Sequence, residues 1–265
     1  MNQSELMEIA LQQSAYDCSC RAEDFQNTKN SLHESAASEK ARKYLKLPHI
    51  CNLVSYGSCI VVCGQKELFP KIRTFVDGVS NISACFETPH LYVLNDILAE
   101  YDAKVCFMAE YFLPDLKRLY RVERGCPFEV RILHQEDFAG LYLPAWSNAL
   151  CKDRSHLDIL GAGAYDQGRL IGLAGCSADC DTMWQIGVDV LPEYRRRGVA
   201  SALTSRLAKE ILARDKVPFY CAAWSNIRSV KNAVRSGFVP AWVEATAKPD
   251  ALIREMTGNR YLSFD

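Results

Sequence analysis

The residues whose types and spacing could do chemistry lie in a strand-like run at residues 183–191 and in the segment that follows it. Pro192 ends the strand pattern, three arginines precede Gly198, and apolar residues then recur at every fourth position. A helix that begins directly after a strand presents unpaired N–H groups and a partial positive charge, which together bind anions. Residues 193–216 also carry seven Lys or Arg against three Asp or Glu, a local charge of +4 on a chain of net charge -1. The pattern predicts a binding site for a diphosphate.

The residues of this loop suit a diphosphate in different ways. Gly198 lets the backbone approach a ligand closely, and the small side chains of Ala200 and Ser201 leave room at the first helical turn. The alternative is a basic, solvated loop at the start of an ordinary strand–helix unit. The predicted contacts are Arg195, Arg196, Arg197, Gly198, Val199, Ala200 and Ser201.

A second segment supports the first. After an apolar strand at residues 217–224, Asn226 and Ser229 begin a helix that ends before Gly237 and Phe238. Gly237 suits a helix C-terminus that needs a positive φ. Asn226 is either an ordinary helix N-cap or a ligand contact, and the two roles can coincide.

The pattern Val190-x-Pro192-x-x-Arg195-x-x-Gly198-x-Ala200 resembles the strand, pyrophosphate loop and helix of the GNAT acyltransferase superfamily. That family often has Gly at the position of Ala200. The resemblance covers residues 128–249. The whole chain resembles a GNAT group in which an N-terminal domain of unknown role precedes the transferase domain.

The resemblance implies a splayed mixed β-sheet flanked by helices, with acetyl-CoA as co-substrate and no metal. It implies that an acetyl group passes to an amine by direct attack in a ternary complex. Main-chain groups at the splay, at Val188, Asp189 and Val190, would then polarise the thioester. An Asn at the place of Asn226 would reach the pantetheine arm or the splayed strand, and Ser229 would be a further contact with the cofactor.

The catalytic acid and base are less well defined by the sequence. Many GNAT enzymes carry a Tyr seven residues after the Asn, and here that position is Ala233. Ser229, one turn earlier, is the candidate acid. The candidate bases are Asp189, which we place first, and Asp179, Asp181 and Glu244.

The substituted Tyr position leaves more than one function open. The leading interpretation is an amine N-acetyltransferase acting on a small molecule or a peptide. The alternative is a coenzyme A binding sensor or scaffold with weak or no turnover. A third interpretation is a transferase with a longer acyl donor or a non-amine acceptor. A homodimer is also left open.

Composition and sequence pattern argue against several classes of protein. A net charge of -1 and a pI near 6.5 argue against a nucleic-acid-binding protein. The sequence has no run of 18 apolar residues that would predict a membrane span, and the polar N-terminus predicts a cytoplasmic protein.

The twelve cysteines include no C-x-x-C pair, so we expect reduced, mostly buried thiols. A labile redox pair at Cys176 and Cys180 is the alternative.

The order of elements predicts an α/β (α+β) chain with two domains, an N-terminal α/β domain at 1–125 and the transferase domain at 126–265. The boundary is placed at the charged, Gly- and Pro-containing segment 123–127. In the first domain we expect an exposed helix at 38–47 that ends before Pro48, a strand pair at 53–64, helices at 68–79 and 89–101, and a strand at 104–112. In the second we expect a strand at 128–133, a helical stretch from 135 towards 146, a hairpin turning at 166–168, helices at 199–214 and 227–236, and a last strand at 239–247.

Overall fold

The computed structural model describes residues 1–121 and 125–258, and it divides into two compact units. Unit 1 contains the described residues of Met1–Ala10 and Tyr111–Ala241, and unit 2 contains those of Leu11–Glu110 and from Trp242 onward. Each unit is therefore built from two separate stretches of the chain. The predicted domain boundary includes Glu123 and Arg124, which lie outside the described residues. The division into 1–125 and 126–265 stays a prediction.

The chain forms seven α-helices and ten strands over the described residues. The helices are α1 Gln3–Cys18, α2 Phe69–Gly78, α3 His90–Ala99, α4 Leu116–Arg121, α5 Val199–Leu212, α6 Ile227–Arg235 and α7 Asp250–Met256. The strands are β1 Ser31–Glu34, β2 Cys51–Ser55, β3 Val61–Gly64, β4 Ala103–Pro114, β5 Glu129–His134, β6 Asp158–Asp166, β7 Arg169–Ser177, β8 Met183–Val190, β9 Val217–Ala223 and β10 Phe238–Pro249.

The sheet of unit 1 runs in the order β4-β9-β8-β7-β6-β5. The strands from β5 to β8 are antiparallel neighbours, whereas β8 and β9 are parallel. Helix α5 packs on this sheet with the residues that the sequence spaced by four, Val199, Leu203, Leu207 and Ile211, all buried. The mixed α/β fold class is confirmed. The sheet and α5 are the elements that position the predicted site.

The hairpin between β6 and β7 is confirmed where the sequence placed it. Its turn residues Gln167 and Gly168 have φ values of 49° and 84°. Two consecutive positive φ values give the turn whose twist matches that of antiparallel strands, and glycine adopts this conformation at little cost.

Unit 2 contains the order β1-β3-β2-β10. Strands β2 and β3 form the predicted antiparallel pair, with Cys51 opposite Gly64. Helices α2 and α3 agree with their predicted positions, and their apolar faces share a core with the strands. The core includes Leu53, Val62, Ile72, Phe75, Leu94 and Leu98.

The predicted helix at 38–47 is wrong, because these residues form turns and bends. The reason is visible at Arg42, which is 4% exposed instead of facing solvent. Its guanidinium forms ion pairs with Asp17 and Glu244. Glu244 also accepts a hydrogen bond from Trp242 Nε1 at 2.8 Å. The Glu244 carboxylate, one of the candidate bases, is thus held in a buried ion pair.

All twelve cysteines lie in the described residues, and none of them forms a disulfide. Cys176 and Cys180 are both buried thiols, and Cys180 Sγ donates a hydrogen bond to Met183 O at 3.3 Å. Within the described part of the chain, we find no helix with the length and apolar character that a membrane crossing requires.

Candidate functional site

The basic loop after β8 has an irregular backbone that directs it back to the sheet. Arg195 Nε donates a hydrogen bond to Val190 O at 3.0 Å, which closes the loop onto the end of β8. Tyr194 anchors the loop to the neighbouring hairpin, because its hydroxyl donates to Asp166 Oδ2 at 2.8 Å. Arg196 and Gly198 both have positive φ, 63° and 81°. The left-handed conformation at Gly198, the N-cap of α5, turns the chain directly into the helix.

This geometry leaves a row of main-chain donors without acceptors. The N–H of Arg195 is engaged, since it donates to Pro192 O at 3.3 Å. The next amide with an intramolecular bond is that of Ala202, which donates to Gly198 O at 3.1 Å. Across residues 1–121 and 125–258, nothing accepts a hydrogen bond from the N–H groups of residues 196–201. Such unpaired N–H groups at a helix start bind anions.

The surroundings of these amides are open and positively charged. Arg195, Arg196, Arg197 and Gly198 are all exposed. A Cβ built on Gly198 would meet no atom within 4 Å. The Arg197 guanidinium lies over the Tyr194 ring, 5.4 Å from its centroid. Two predicted residues play packing roles on the other side: Val199 is 1% exposed, and Ser201 Oγ donates to Gly198 O at 3.1 Å.

Strands β8 and β9 separate before the loop begins. Their parallel pairing runs from Met183 and Val217 to Ile186 and Tyr220. Strand β8 continues to Val190 and β9 to Ala223, with no further pair between them among the described residues. The sequence expectation of a splayed strand agrees with this geometry. The last residues of β8 keep their neighbour on only one side.

The hydrogen-bond pattern with β7 tells which main-chain groups of β8 point into the gap. Leu191 N donates to Ile171 O at 3.0 Å, so this pair is hydrogen-bonded. Bonded and non-bonded pairs alternate in an antiparallel ladder. Asp189, opposite Leu173, is therefore bonded to β7, whereas Val188 and Val190 direct their N–H and C=O groups away from β7. The oxyanion donors expected at the splay are thus the amides of Val188 and Val190, and not that of Asp189.

Helix α6 and strand β9 each contribute one hydroxyl group near the end of the β8–β9 pairing. Asn226 is the N-cap of α6, and its Oδ1 accepts a hydrogen bond from Ser229 N at 3.2 Å. Ser229 Oγ lies 2.9 Å from the hydroxyl of Tyr220, the β9 residue at the last β8–β9 pair. Asn232 Nδ2 donates to Thr204 Oγ1 at 3.1 Å and so ties α6 to α5. These contacts place Ser229 beside the gap.

Tyr220 is a functional candidate that the sequence did not indicate. It is 4% exposed, and burial raises the pKa of its phenol, so the hydroxyl keeps its proton at neutral pH. Ala233, at the family's usual Tyr position, is fully buried. The sequence indicates that Tyr220 lies in a strand, through the regular alternation of residues in β9. It does not indicate that the hydroxyl of Tyr220 meets that of Ser229, nine residues later.

Both carboxylate oxygens of Asp189 accept hydrogen bonds. Its Oδ2 accepts hydrogen bonds from the amides of Asn148 and Ala149 at 2.8 and 3.0 Å. Its Oδ1 accepts another from Asn148 Nδ2 at 2.7 Å. Both oxygens thus hold the segment around residue 148 on the sheet, which favours a positioning role over proton abstraction. The catalytic assignment of Asp189 stays a prediction.

Two glycines let that segment approach the sheet closely. A Cβ on Gly187 would lie 1.8 Å from Asn148 O, and a Cβ on Gly175 would lie 2.2 Å from Ala149 O. Backbone cannot give way at such distances, so only glycine fits at both positions. The carboxylate of Asp189 and the absence of side chains at Gly175 and Gly187 fix residues 148–149 against β7 and β8.

We expect Asp189→Asn to lower the free energy of unfolding by about 2 kcal/mol, because a hydrogen bond to a charged group is worth roughly 1.5–3 kcal/mol. Denaturant unfolding measures the change, and Asp181→Asn, an exposed turn residue, is the matched control. We expect the affinity for coenzyme A to change by less than about threefold, which is under 1 kcal/mol. Unchanged stability together with an altered pH–rate profile would instead identify Asp189 as the base.

Asp158 holds the other end of the same segment. Its Oδ2 accepts a hydrogen bond from Cys151 N at 2.8 Å, and the residue is 1% exposed. Burial raises the pKa of this carboxyl to about 6, against the lowering effect of the Cys151 and Tyr142 hydrogen bonds. Since the folded protein holds this proton more tightly than the unfolded chain, stability from this group is present at low pH and lost as the pH rises from about 4 to about 6.

We therefore expect Asp158→Asn, which cannot ionise, to gain stability relative to the wild type by about 3 kcal/mol between pH 4 and pH 7, at about 1.4 kcal/mol per pKa unit. Urea unfolding at several pH values measures this. Asp153→Asn, an exposed neighbour, should leave the wild-type pH dependence in place. Parallel stability curves for Asp158→Asn and the wild type would refute the assignment.

Part of the chain is similar to a known protein family. Residues 117–238 match the profile described as the acetyltransferase (GNAT) family. Among curated proteins, none matches the chain significantly.

Solved structures with a similar fold include a GNAT-family protein of Novosphingobium aromaticivorans DSM 12444, with 21% identity over 55% of this chain and 66% of that chain and a TM-score of 0.39. A GCN5-related N-acetyltransferase-like protein of Streptococcus suis 89/1591 has 17% identity over 60% of this chain and 68% of that chain, with a TM-score of 0.43. A GNAT-family acetyltransferase of Colwellia psychrerythraea has 14% identity over 61% of this chain and 63% of that chain, with a TM-score of 0.44. The chain thus spans about two thirds of the length of these proteins. The likeness concerns the fold and says nothing about acceptor or mechanism. Residues 117–238 form a domain of the GNAT acetyltransferase family.

Proposed function

We propose that this protein transfers an acetyl group from acetyl-CoA to an amine. The observation that carries the proposal is the row of unpaired N–H groups at residues 196–201, which begins α5 next to the separated ends of β8 and β9. A diphosphate carries two negative charges, and this loop offers it backbone donors, a helix N-terminus and three exposed arginines. In this proposal the amides hold the diphosphate and the gap receives the pantetheine arm.

The chemistry then needs few side chains. The amine nitrogen attacks the acetyl carbon, the C–N bond forms, the C–S bond breaks, and its electron pair stays on sulfur. Main-chain N–H groups of Val188 and Val190 are the donors available to the carbonyl oxygen as negative charge develops on it. A donor of this kind is commonly worth about 3 kcal/mol. The amine proton leaves to solvent or to a base, and the thiolate gains a proton.

Ser229 is the proposed source of that proton. Its hydroxyl is hydrogen-bonded to Tyr220 at 2.9 Å, so a proton given up by Ser229 can be replaced from the phenol, which then regains a proton from solvent before the next turnover. The free thiol has a pKa near 8.5, and this acid therefore assists departure without being indispensable. In this proposal, the hydroxyls of Ser229 and Tyr220 perform the function of the Tyr that many GNAT enzymes carry at the position of Ala233.

The buried methyl group at Ala233 also favours the second candidate function, a coenzyme A binding module without turnover. Calorimetric titration with coenzyme A, followed by free-thiol release from acetyl-CoA across a panel of small amines and peptides, separates the two. Amine-dependent thiol release supports the transferase. Binding without turnover on any amine supports the module, and absence of binding refutes both.

A further inference from the structure

A cluster of metal-ligand side chains lies in unit 2. Cys20 follows the end of α1, Asp24 lies in the 3-10 turn Ala22–Phe25, and His33 lies in β1. One ligand atom from each, Sγ, a carboxylate oxygen and an imidazole nitrogen, lies within 4.8 Å of the other two. Neither the GNAT fold nor acetyl transfer explains this cluster.

The main chain holds the three residues in place. Ser19 has a φ of 55°, which ends α1 and redirects Cys20. Ser19 Oγ in turn accepts a hydrogen bond from Ala36 N at 3.0 Å, which ties this turn to the segment after β1. The turn of Asp24 is fixed by Arg21 N, which donates to Asp24 Oδ2 at 2.9 Å.

Two further contacts fix the other side of the cluster. Cys59 Sγ donates a hydrogen bond to Asp24 O at 3.2 Å. His33 pairs with Cys63 in the parallel ladder of β1 and β3. These hydrogen bonds and the strand pairing fix the main chain on both sides of the three ligand residues.

The distances suit a common central ion. His33 Nε2 and Asp24 Oδ2 are 3.6 Å apart, which is too long for a hydrogen bond. Zinc binds nitrogen and oxygen at about 2.0–2.2 Å and sulfur at about 2.3 Å, so tetrahedral ligand atoms are separated by roughly 3.3–3.8 Å. The separation of the imidazole and the carboxylate falls in this range. Cys20 is half-buried, and its Sγ lies within 4.8 Å of both the imidazole nitrogen and the carboxylate oxygen.

We propose that Cys20, Asp24 and His33 bind a divalent transition-metal ion, with Zn²⁺ as the best match. A thiolate and a carboxylate supply two negative charges, and together with a neutral imidazole they balance a 2+ ion. The thiol proton of Cys20 passes to solvent as the metal–sulfur bond forms. Thiolate and imidazole ligands select zinc over calcium or magnesium. Ser31 Oγ is hydrogen-bonded to His33 Nε2 at 3.0 Å. Metal binding by this nitrogen replaces that bond, and the hydroxyl can then hydrogen-bond to a water that completes the tetrahedron.

The sequence did not indicate this site, because no Cys pair stands at zinc-like spacing. Each ligand comes from a different element, and only the fold brings them together.

The test uses the full chain, freed of metal with a chelator and titrated with Co²⁺ as a spectroscopic probe. We expect one equivalent to bind with tetrahedral d–d bands and a thiolate-to-cobalt charge-transfer band, and Zn²⁺ to displace it. Cys20→Ser should abolish the charge-transfer band, and His33→Gln should weaken binding by about 100-fold or more. Circular dichroism tests whether each variant is folded. If Cys20→Ser does not fold, the loss of cobalt binding in His33→Gln tests the proposal.

The matched controls are Cys126→Ser and His156→Gln, which remove a partly exposed thiol and an exposed imidazole outside the cluster. Both should bind Co²⁺ like the wild type. Wild-type protein without a tetrahedral cobalt spectrum, or a spectrum that survives in both Cys20→Ser and His33→Gln, would overturn the proposal. Neither result depends on acetyl transfer.

Discussion

Gly198→Asp is expected to weaken coenzyme A binding by about 100-fold. The space around a Cβ at this position is open, so the new carboxylate would occupy the region that the unpaired amides face. Coulomb's law gives about 3 kcal/mol for charges of -1 and -2 about 5 Å apart at an effective dielectric constant of about 40, which is about 100-fold in affinity. Calorimetric titration with coenzyme A measures the loss.

Gly198→Asn is the matched control, because it differs from the Asp variant in charge and hardly in size. Both side chains tolerate the left-handed conformation at φ 81° better than other non-glycine residues, so both variants should fold. The Asn variant should lose less than about tenfold in affinity, or about 1.4 kcal/mol. Equal affinities for the Asp variant and the wild type would place the diphosphate elsewhere.

Ser229→Ala is expected to lower kcat by about 100-fold, at the lower end of the usual range for a general acid. The affinity for coenzyme A should stay close to that of the wild type, because the amides of the loop are untouched. Tyr220→Phe should lower kcat in the same direction, since it removes the hydroxyl 2.9 Å from Ser229 Oγ and keeps the ring. Steady-state kinetics with an acceptor from the amine panel measures both variants.

A proton-donating role of Ser229 also predicts how the loss of kcat in Ser229→Ala depends on the pKa of the leaving thiol. A thioester whose thiol has a much lower pKa needs less acid, so it should restore most of the turnover of Ser229→Ala. Ser225→Ala, at an exposed position before the same helix, should behave like the wild type. A loss of kcat that is equal for both thioesters would indicate a structural effect of Ser229 and contradict the assignment.

The loop and its flanking elements could be predicted because their signals are local. Pro192, Gly198 and the four-residue apolar spacing of α5 lie within one short segment. A strand that ends and a helix that begins there follow from the chain itself. The hairpin that turns at Gln167 and Gly168 could be predicted for the same reason, because its signal is also local.

The partners of individual side chains could not be predicted, because they come from distant parts of the chain. Asp189 looked like a free carboxylate in a strand, but its partner Asn148 lies 41 residues earlier. Arg42 looked like an exposed helical residue, yet it is buried between Asp17 and Glu244. Periodicity indicates which residues face a core, and it does not indicate which buried charges will meet there.

The central claim is that the N–H groups of residues 196–201 bind the diphosphate, and amide NMR of ¹⁵N-labelled protein tests it most directly. Coenzyme A should shift the amide resonances of residues 198–201 strongly downfield, as charge-assisted hydrogen bonds form. Pantetheine, which lacks the diphosphate, should leave these resonances in place at concentrations where it perturbs residues of β8 and β9. Saturation with coenzyme A that leaves the amides of 198–201 unmoved while other residues respond would contradict the claim.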